Sequence, residues 1–350
     1  MAADATDDSA WQARLHACVG EASAGLMVAP HAVSEAMIAM WADALLDDNP
    51  VYTDDAAARA TGRAGIVAPA TMIQAWVMPK ISVLAQGATE VPGYEPWLRG
   101  RPRTGGPDSE GALQIYKVLA ERGYTNSAAT NCRQDYHAEL RPGDRVRAVT
   151  TLERVSSLKR TAMGPGHFIT TRWEFFDQDD RNVATQLWTV LRFRTPDEVA
   201  TAQAAPSTPV APVASGGPLR GSPMVGQVTG ATVIPITPSF VVATAIATHD
   251  FYAIHHDVDW ARSVGRPDIF QNILTTTGLV GGVVTRWGGP AVRLRSVDLR
   301  LLAPNYPGDE CTFIGHVTAV EGNEVTMAVR GTNGLGIHVE ATVVAVVPPR

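Results

Sequence analysis

Two segments of this chain, 203 positions apart, can be laid over each other without a gap. The later is "HDFYAIHHDVDWARSVGRPDIF", His249 to Phe270; the earlier is "LDDNPVYTDDAAARATGRAGIV", Leu46 to Val67. At that offset Asp250 falls on Asp47, Asp257 on Asp54, Ala261 on Ala58 and Arg262 on Arg59. Gly265 falls on Gly62, Arg266 on Arg63 and Ile269 on Ile66. So many gap-free matches in one short window mark a duplicated element, and an internal repeat constrains a fold more than any single motif. Whatever local structure the first copy adopts, the second is expected to share.

The flanks repeat in the same order. In the second half a short apolar run, "ATVIPI", precedes "TPSFVVATAIATHD", where Thr237 is placed to cap a helix and Pro238 to begin it. "VDWARSVG" reads as a short helix capped by Asp257 and ended by Gly265. "IFQNILTTTGLVGGVVTRWG" is apolar and of helix length, and the alternating segments after it read as strands. The first half offers "SEAMIAMWADALL", "AAARATG", "IVAPATMIQAWVM" and its own alternating segments. Both halves enter a strand through Pro-Gly-Asp, at Pro142 to Asp144 and at Pro307 to Asp309. A helix wrapped by an antiparallel sheet, present twice, is an α+β double domain.

The halves differ in length. Asp47 lies 97 positions before Asp144, and Asp250 lies 59 before Asp309, so the first half carries 38 more. The excess falls in the Gly- and Pro-rich "KISVLAQGATEVPGYEPWLRGRPRTGGPDSEGALQ". Such an insertion is either a functional loop or a bland surface excursion. The segment from Thr195 to Pro223, rich in Ala, Pro, Ser and Thr, buries too little to order itself and reads as a linker. The expected organisation is residues 1–195, a linker over 196–225, and 226–350.

Composition excludes several function classes. A formal net charge of −6 gives no bulk electrostatics for nucleic acid. Cys18, Cys132 and Cys311 are scattered, with no Cys-x-x-Cys pair, so neither a disulfide framework nor a metal site is expected. No apolar run reaches the roughly 18 residues of a membrane span. The polar, acidic start is unlike a secretory signal, and a cytoplasmic location is the expectation.

The chemistry sits inside the repeat. Asp250 and His255 are five residues apart after a helix, a spacing that can place a carboxylate and an imidazole beside one cleft. Histidine titrates near neutrality and can take a proton from water, while the carboxylate orients it. The first copy has Tyr52 at the position of His255, and a phenol is a poor base at pH 7. It also has Pro69 at the position of Asn272, and proline has no N–H to offer a developing oxyanion. The first copy keeps the frame without the reactive groups. Of the remaining polar residues, Asp257 reads as a cap, His249 as a helix-end residue, and Arg63 and Arg266 as turn structure.

The pattern Asp-x-Asn-Pro-x-His, followed by a short helix, a glycine and an apolar helix, resembles the R-specific (MaoC-like) enoyl-CoA hydratases of the hot-dog fold. The first copy has Asn49-Pro50 but Tyr52 for the histidine; the second has the aspartate and histidine but Tyr252-Ala253 for Asn-Pro. "DFYAIHHD", "DIFQNILTTTGLV" and "VTRW" resemble the small catalytic subunit of the bacterial steroid side-chain members. "DDNPVY" and "GIVAPATMIQAWVMP" resemble the MaoC-like part of their large subunit. The resemblance implies a double hot-dog with both subunits fused in one chain. It also implies syn hydration of an α,β-unsaturated acyl-CoA, with Asp250 and His255 activating the water. The backbone N–H of Asn272 or Ile273 would polarise the thioester carbonyl. The disrupted central helix of the first half would make room for a steroid, bringing Tyr52 and Pro69 near the substrate. Arg266, Arg293 and Arg295 are candidates for coenzyme A phosphates, against the alternative of turn or strand charges. Coenzyme A enters as part of the substrate, with no separate cofactor. Implied partners are a second copy in a homodimer, and an OB-domain protein or a thiolase-like aldolase. Two other readings stand: a hydratase or dehydratase of other fatty or bulky 3-hydroxyacyl thioesters, and a non-catalytic acyl-CoA binding or scaffold protein.

Overall fold

The computed structural model describes residues 2–22, 27–78, 114–194 and 216–349. The duplication is visible residue by residue. Helix α2 (Glu35–Ala44) matches α5 (Pro238–Ala247), and the 3-10 turn Pro50–Tyr52 matches Ala253–His255. Helix α3 (Asp55–Ala60) matches α6 (Val258–Ser263). All six boundaries keep the 203 offset. Local chemistry explains the match. Asp54 and Asp257 each cap the short helix by accepting backbone N–H groups. Gly62 and Gly265 then turn the chain at φ 77° and 80°, in the left-handed region that glycine enters without penalty.

Among the described residues, eleven antiparallel strands form one sheet. In the first half they are β1 (Met27–Val28), β2 (Asn126–Tyr136), β3 (Arg147–Val155), β4 (Lys159–Thr161), β5 (Gly164–Phe176) and β6 (Asn182–Phe193). In the second they are β7 (Thr232–Ile236), β8 (Arg293–Leu301), β9 (Asp309–Glu321), β10 (Glu324–Asn333) and β11 (Gly336–Val346). The order is β1-β3-β5-β6-β2 and then β8-β11-β10-β9-β7, with β4 hydrogen-bonded to β5 outside this path. The second run repeats the first, read inward from the opposite edge. The halves join where β2 pairs with β8, from Asn131 opposite Arg300 to Asp135 opposite Ser296. Pro142 and Pro307 are 165 apart, and so are Arg133 and Asp298, which face each other at the middle of this seam. A pseudo-two-fold axis therefore passes through the Arg133–Asp298 pair.

Helix α7 (Ile273–Gly288) runs through the second half with every residue but Arg286 buried. A helix apolar all round must be enclosed on all sides, and here the sheet and α2 enclose it. At Gly278 a Cβ would collide with Leu45 and Trp41, so glycine sets the approach of α2. The matching segment of the first half, Ala70–Val77, is a 3-10 helix. Asn272 caps α7 by accepting the Thr275 N–H, whereas Pro69 makes no side-chain cap. The 38-residue excess expected between Lys80 and Gln114 lies almost entirely outside the described residues.

One apolar cluster spans both halves. A second lies between helices α1 (Ala2–Ala17) and α4 (Gln114–Ala120) and the strand residues Leu152, Ile169 and Val190. Phe175 and Ile169 on β5, and Ala184 and Val190 on β6, are an even number of residues apart and share a sheet face. The first member of each pair belongs to the large cluster and the second to the small one. Helices α1 and α4 thus cover the stretch of the inner face beyond the 3-10 segment. Residues 196–215 of the expected linker are not described. The last ten, 216–225, lie on the second half: the Leu219 N–H bonds the Trp287 carbonyl, and its side chain is buried.

Candidate active site

Helix α5 ends at Thr248, and His249 takes φ 56°, the left-handed conformation that reverses the chain. Leu46 does the same in the first copy, at φ 55°. The Asp250 N–H returns to the Ala245 carbonyl at 3.0 Å, closing the helix end. The 3-10 turn Ala253–His255 follows and brings His255 back over Asp250. His255 Nε2 lies 3.5 Å from Asp250 Oδ2, with the side chains 9% and 14% exposed.

The other ring nitrogen fixes the proton. His255 Nδ1 is 2.7 Å from the Phe270 carbonyl oxygen. A carbonyl only accepts, so Nδ1 carries the hydrogen and Nε2 of the neutral ring presents a lone pair. With the ring neutral, two acceptors face each other, the Nε2 lone pair and the Asp250 carboxylate. A water molecule, with two O–H donors, satisfies both.

Two residues beyond Phe270, the central helix begins. Asn272 Oδ1 accepts the Thr275 N–H at 2.7 Å, and its Nδ2 donates to Thr248 Oγ1 at 2.8 Å. This bond ties the end of α5 to the start of α7. The Asn272 and Ile273 N–H groups lie ahead of the helical ladder, at the positive end of its dipole. The expected oxyanion donors thus stand beside the carbonyl that holds His255.

A buried polar network behind this loop went unread in the sequence. Gln271 Nε2 donates to Thr276 Oγ1 at 2.8 Å, and Thr276 Oγ1 is 2.9 Å from His338 Nε2. His338 Nδ1 donates to the Ala303 carbonyl at 2.6 Å. Asn305 Nδ2 donates to Gln271 Oε1, and Asn333 Nδ2 to Asn305 Oδ1. Burial pushes His338 down to about 4, so it is the neutral acceptor this chain needs. Gln271 adjoins Asn272 in sequence, but nothing in the spacing of His338 or Asn305 announced them.

The first copy is occupied differently. Tyr52 is buried where His255 stands, and burial drives its phenol far above the ordinary tyrosine range. Asp47 accepts the Asn49 N–H at 3.2 Å, and burial, the largest influence, raises its carboxyl. A cavity of about 200 Å³ opens here, lined among others by Tyr52, Ala70, Glu139, Arg293 and Arg295. Arg293 and Arg295 therefore gather with Tyr52, in a cavity whose lining includes neither Asp250 nor His255. Pro69 immediately precedes the 3-10 segment beside it. Arg63 is structural: it bonds Glu139, Thr61 and the carbonyls of Pro290 and Val292, clamping one half to the other. Arg266 lies near Tyr306 and reaches Met163 Sδ at 3.4 Å. His249 stacks on Phe251, and His256 Nε2 bonds the Phe251 carbonyl. No cluster of metal-ligating side chains occurs among the described residues, and among them no helix is long and apolar enough to cross a membrane.

Comparison with known proteins gives the chain a family and a fold. Residues 222–338 match the model of the MaoC like domain, and residues 19–97 that of the FAS1-like dehydratase domain region. A Mycobacterium tuberculosis protein described as "3-oxo-4,17-pregnadiene-20-carboxyl-CoA hydratase beta subunit" is 53% identical over 106 residues, 30% of this chain and 82% of the relative. The alpha subunit of the same name is 38% identical over 164 residues, 46% of this chain and 45% of the relative. A Thermomonospora curvata protein described as "Probable enoyl-CoA hydratase alpha subunit" is 40% identical over 184 residues, 53% of this chain and 52% of the relative. The chain thus spans about half the length of the alpha subunits it matches. Matches to an alpha and a beta subunit within one chain fit a fusion of the two. A solved MaoC-like dehydratase superposes with a TM-score of 0.66 at 22% identity, covering 95% of this chain and all of that one. A Mycobacterium tuberculosis protein described as having a double hotdog fold gives 0.55 at 15% identity, covering 94% and 96%. At these identities the structural likeness establishes the fold alone. With the beta-subunit relative covered over most of its length at 53% identity, the chain belongs to the MaoC-like dehydratase family, folded as a double hot-dog.

Proposed function

We propose that this chain adds water across the α,β double bond of a bulky enoyl-CoA, of the steroid side-chain kind that its relatives' names describe. The supporting observation is the Asp250–His255 pair, two acceptors 3.5 Å apart at the mouth of helix α7. A water between them donates one hydrogen bond to each. Its oxygen attacks the β-carbon and its proton passes to the pair, with His255 Nε2 as the base. The pair returns a proton to the α-carbon on the same face. One water is added, both groups end as they began, and the addition is syn. The N–H groups of Asn272 and Ile273 hold the oxyanion that forms on the thioester carbonyl.

The test is hydration of a panel of enoyl-CoA esters, steroid and linear, by the full chain. Asp250→Ala and His255→Ala should each lower turnover by about 10²- to 10⁴-fold. Unchanged turnover in both variants rejects the assigned site. Preference for crotonyl-CoA over a steroid enoyl-CoA refutes the steroid assignment and favours hydration of other fatty thioesters. The same reading includes pairing of two double hot-dogs into a homodimer, which a monomer mass by light scattering would overturn. It also includes docking of an OB-domain protein or a thiolase-like aldolase, and failure of candidates of both kinds to co-elute with this chain would remove that part.

A further inference from the structure

The cavity of the first copy is built differently from its counterpart at the Asp250–His255 pair. The seam strands carry a β-bulge at related places. In β2 Thr130 is skipped between the pairs Ala129–Val190 and Asn131–Thr189. In β8 Arg295 is skipped between Leu294–Ala345 and Ser296–Val344. Thr130 and Arg295 are 165 apart, the spacing of the two Pro-Gly-Asp turns, so the bulge belongs to the duplicated frame. A bulge re-aims side chains, and here Val292 to Arg295 line the cavity in succession. The cations do not belong to the frame. At the same spacing Arg293 corresponds to Ala128 and Arg295 to Thr130, both uncharged.

The charge at this cavity is unbalanced. Three guanidiniums, of Arg63, Arg293 and Arg295, face one carboxylate, that of Glu139. Arg63 takes Glu139 at 2.8 Å. The Arg293 side chain is 41% exposed, yet its Nε is buried without a hydrogen-bond partner, and the distance of 3.8 Å to Glu139 Oε2 is too long for one. Arg295 is exposed at the rim of the cavity and has neither an ion pair nor a hydrogen bond among the described residues. A buried donor without a partner is costly to maintain unless something accepts from it. The Tyr52 phenol also lines the cavity.

We infer that this cavity binds a phosphate group, held by Arg293 and Arg295 and separate from the catalytic pair. Guanidinium forks match the oxygens of a phosphate and carry the charge to neutralise it. The group is either free phosphate or the phosphate-bearing head of a nucleotide such as that of coenzyme A. The cavity is walled by both halves, with Tyr52, Ala70 and Glu139 from the first and Thr285, Arg293 and Arg295 from the second. A bound phosphate therefore ties the halves together.

Calorimetric titration of the full chain with inorganic phosphate, and separately with adenosine 3′,5′-bisphosphate, at constant ionic strength tests this. The expected result is one saturable site for at least one of the two. Arg293→Gln/Arg295→Gln should weaken it by at least about tenfold, and His255→Ala should leave it in place. Which ligand binds identifies the source of the phosphate. Ala70→Leu, which fills the cavity without touching a charge, should abolish binding and keeps the test valid if the double variant does not fold. No saturable binding of either ligand, or binding indifferent to both the arginine and the Ala70 variants, overturns the inference.

Discussion

His338 should make this protein lose stability in mild acid, by an amount the structure sets. Its ring is 2% exposed, with Nδ1 donating to Ala303 and Nε2 accepting from Thr276. Burial lowers it from 6.5 to about 4. The unfolded chain therefore binds a proton below pH 6.5 that the folded chain refuses until about pH 4. The stability this represents is fully present above pH 6.5 and falls away progressively down to about pH 4. The whole difference is about 3 kcal/mol, and by linkage about 2 kcal/mol of it is lost between pH 7 and pH 5. Replacement by glutamine preserves one acceptor for Thr276 and one N–H for Ala303 but removes the titration. Urea unfolding at pH 7 and pH 5 would compare the native chain with His338→Gln. The native chain should lose about 2 kcal/mol more than the variant over that interval. His167 and His249, also lowered by burial, titrate equally in both proteins and cancel. Equal losses in the two would refute the assignment of a buried, neutral His338.

Three further outcomes follow from the asymmetry of the copies. Asn272→Pro gives the second copy the residue of the first; it removes an N–H donor and the helix cap, and turnover should fall about 10²- to 10³-fold, read by steady-state hydration. Arg63→Ala strands the carbonyls of Pro290 and Val292 and should lower unfolding free energy by about 2–4 kcal/mol in denaturant titration; a change below about 0.5 kcal/mol would show that the clamp is idle. Adding Tyr52→His to Asp250→Ala should restore no hydration, because Asp47 is bound to Asn49 and Pro69 offers no N–H; recovered turnover would show that the first copy is one residue from activity.

What could be read in the sequence was local. Asp54 and Asp257 as caps, Gly62 and Gly265 as turns, and Thr237 with Pro238 at a helix start each depend on a few neighbours, and the structure has them all. The Asp250–His255 juxtaposition was legible because five residues span it. The Arg133–Asp298 seam was not, since pairing across the halves depends on which strand edges remain open after each half folds. Nor were Arg293 and Arg295 legible as walls of the other cavity. They follow Gly289 and the turn after α7 in sequence, and the bulge at Arg295 lies beside them at the seam strand. His338 reaches Thr276 from 62 residues away, a relation no periodicity carries.

The two copies show where a duplicated fold is free to change. The backbone at Asn49 has φ −64°, ψ 113° and at Tyr252 has −66°, 128°; Thr53 and His256 have −135°, −10° and −149°, −9°. Between those positions stand Tyr52 and His255, in matching 3-10 turns, both buried. The turn does not depend on the side chain it carries, so an imidazole and a phenol occupy it equally well. Pro69 and Asn272 differ more, at −50°, 128° and −80°, 164°; the ring restrains one, and the other uses its side chain as a cap. With Asn272 the helix that follows is capped and runs 16 residues; with Pro69 it is a 3-10 segment of eight. One exchange thus removes both an oxyanion donor and a helix cap. On the proposed mechanism, catalysis and the central helix are coupled at this position, since the group that would stabilise the oxyanion is the same helix terminus that Asn272 caps.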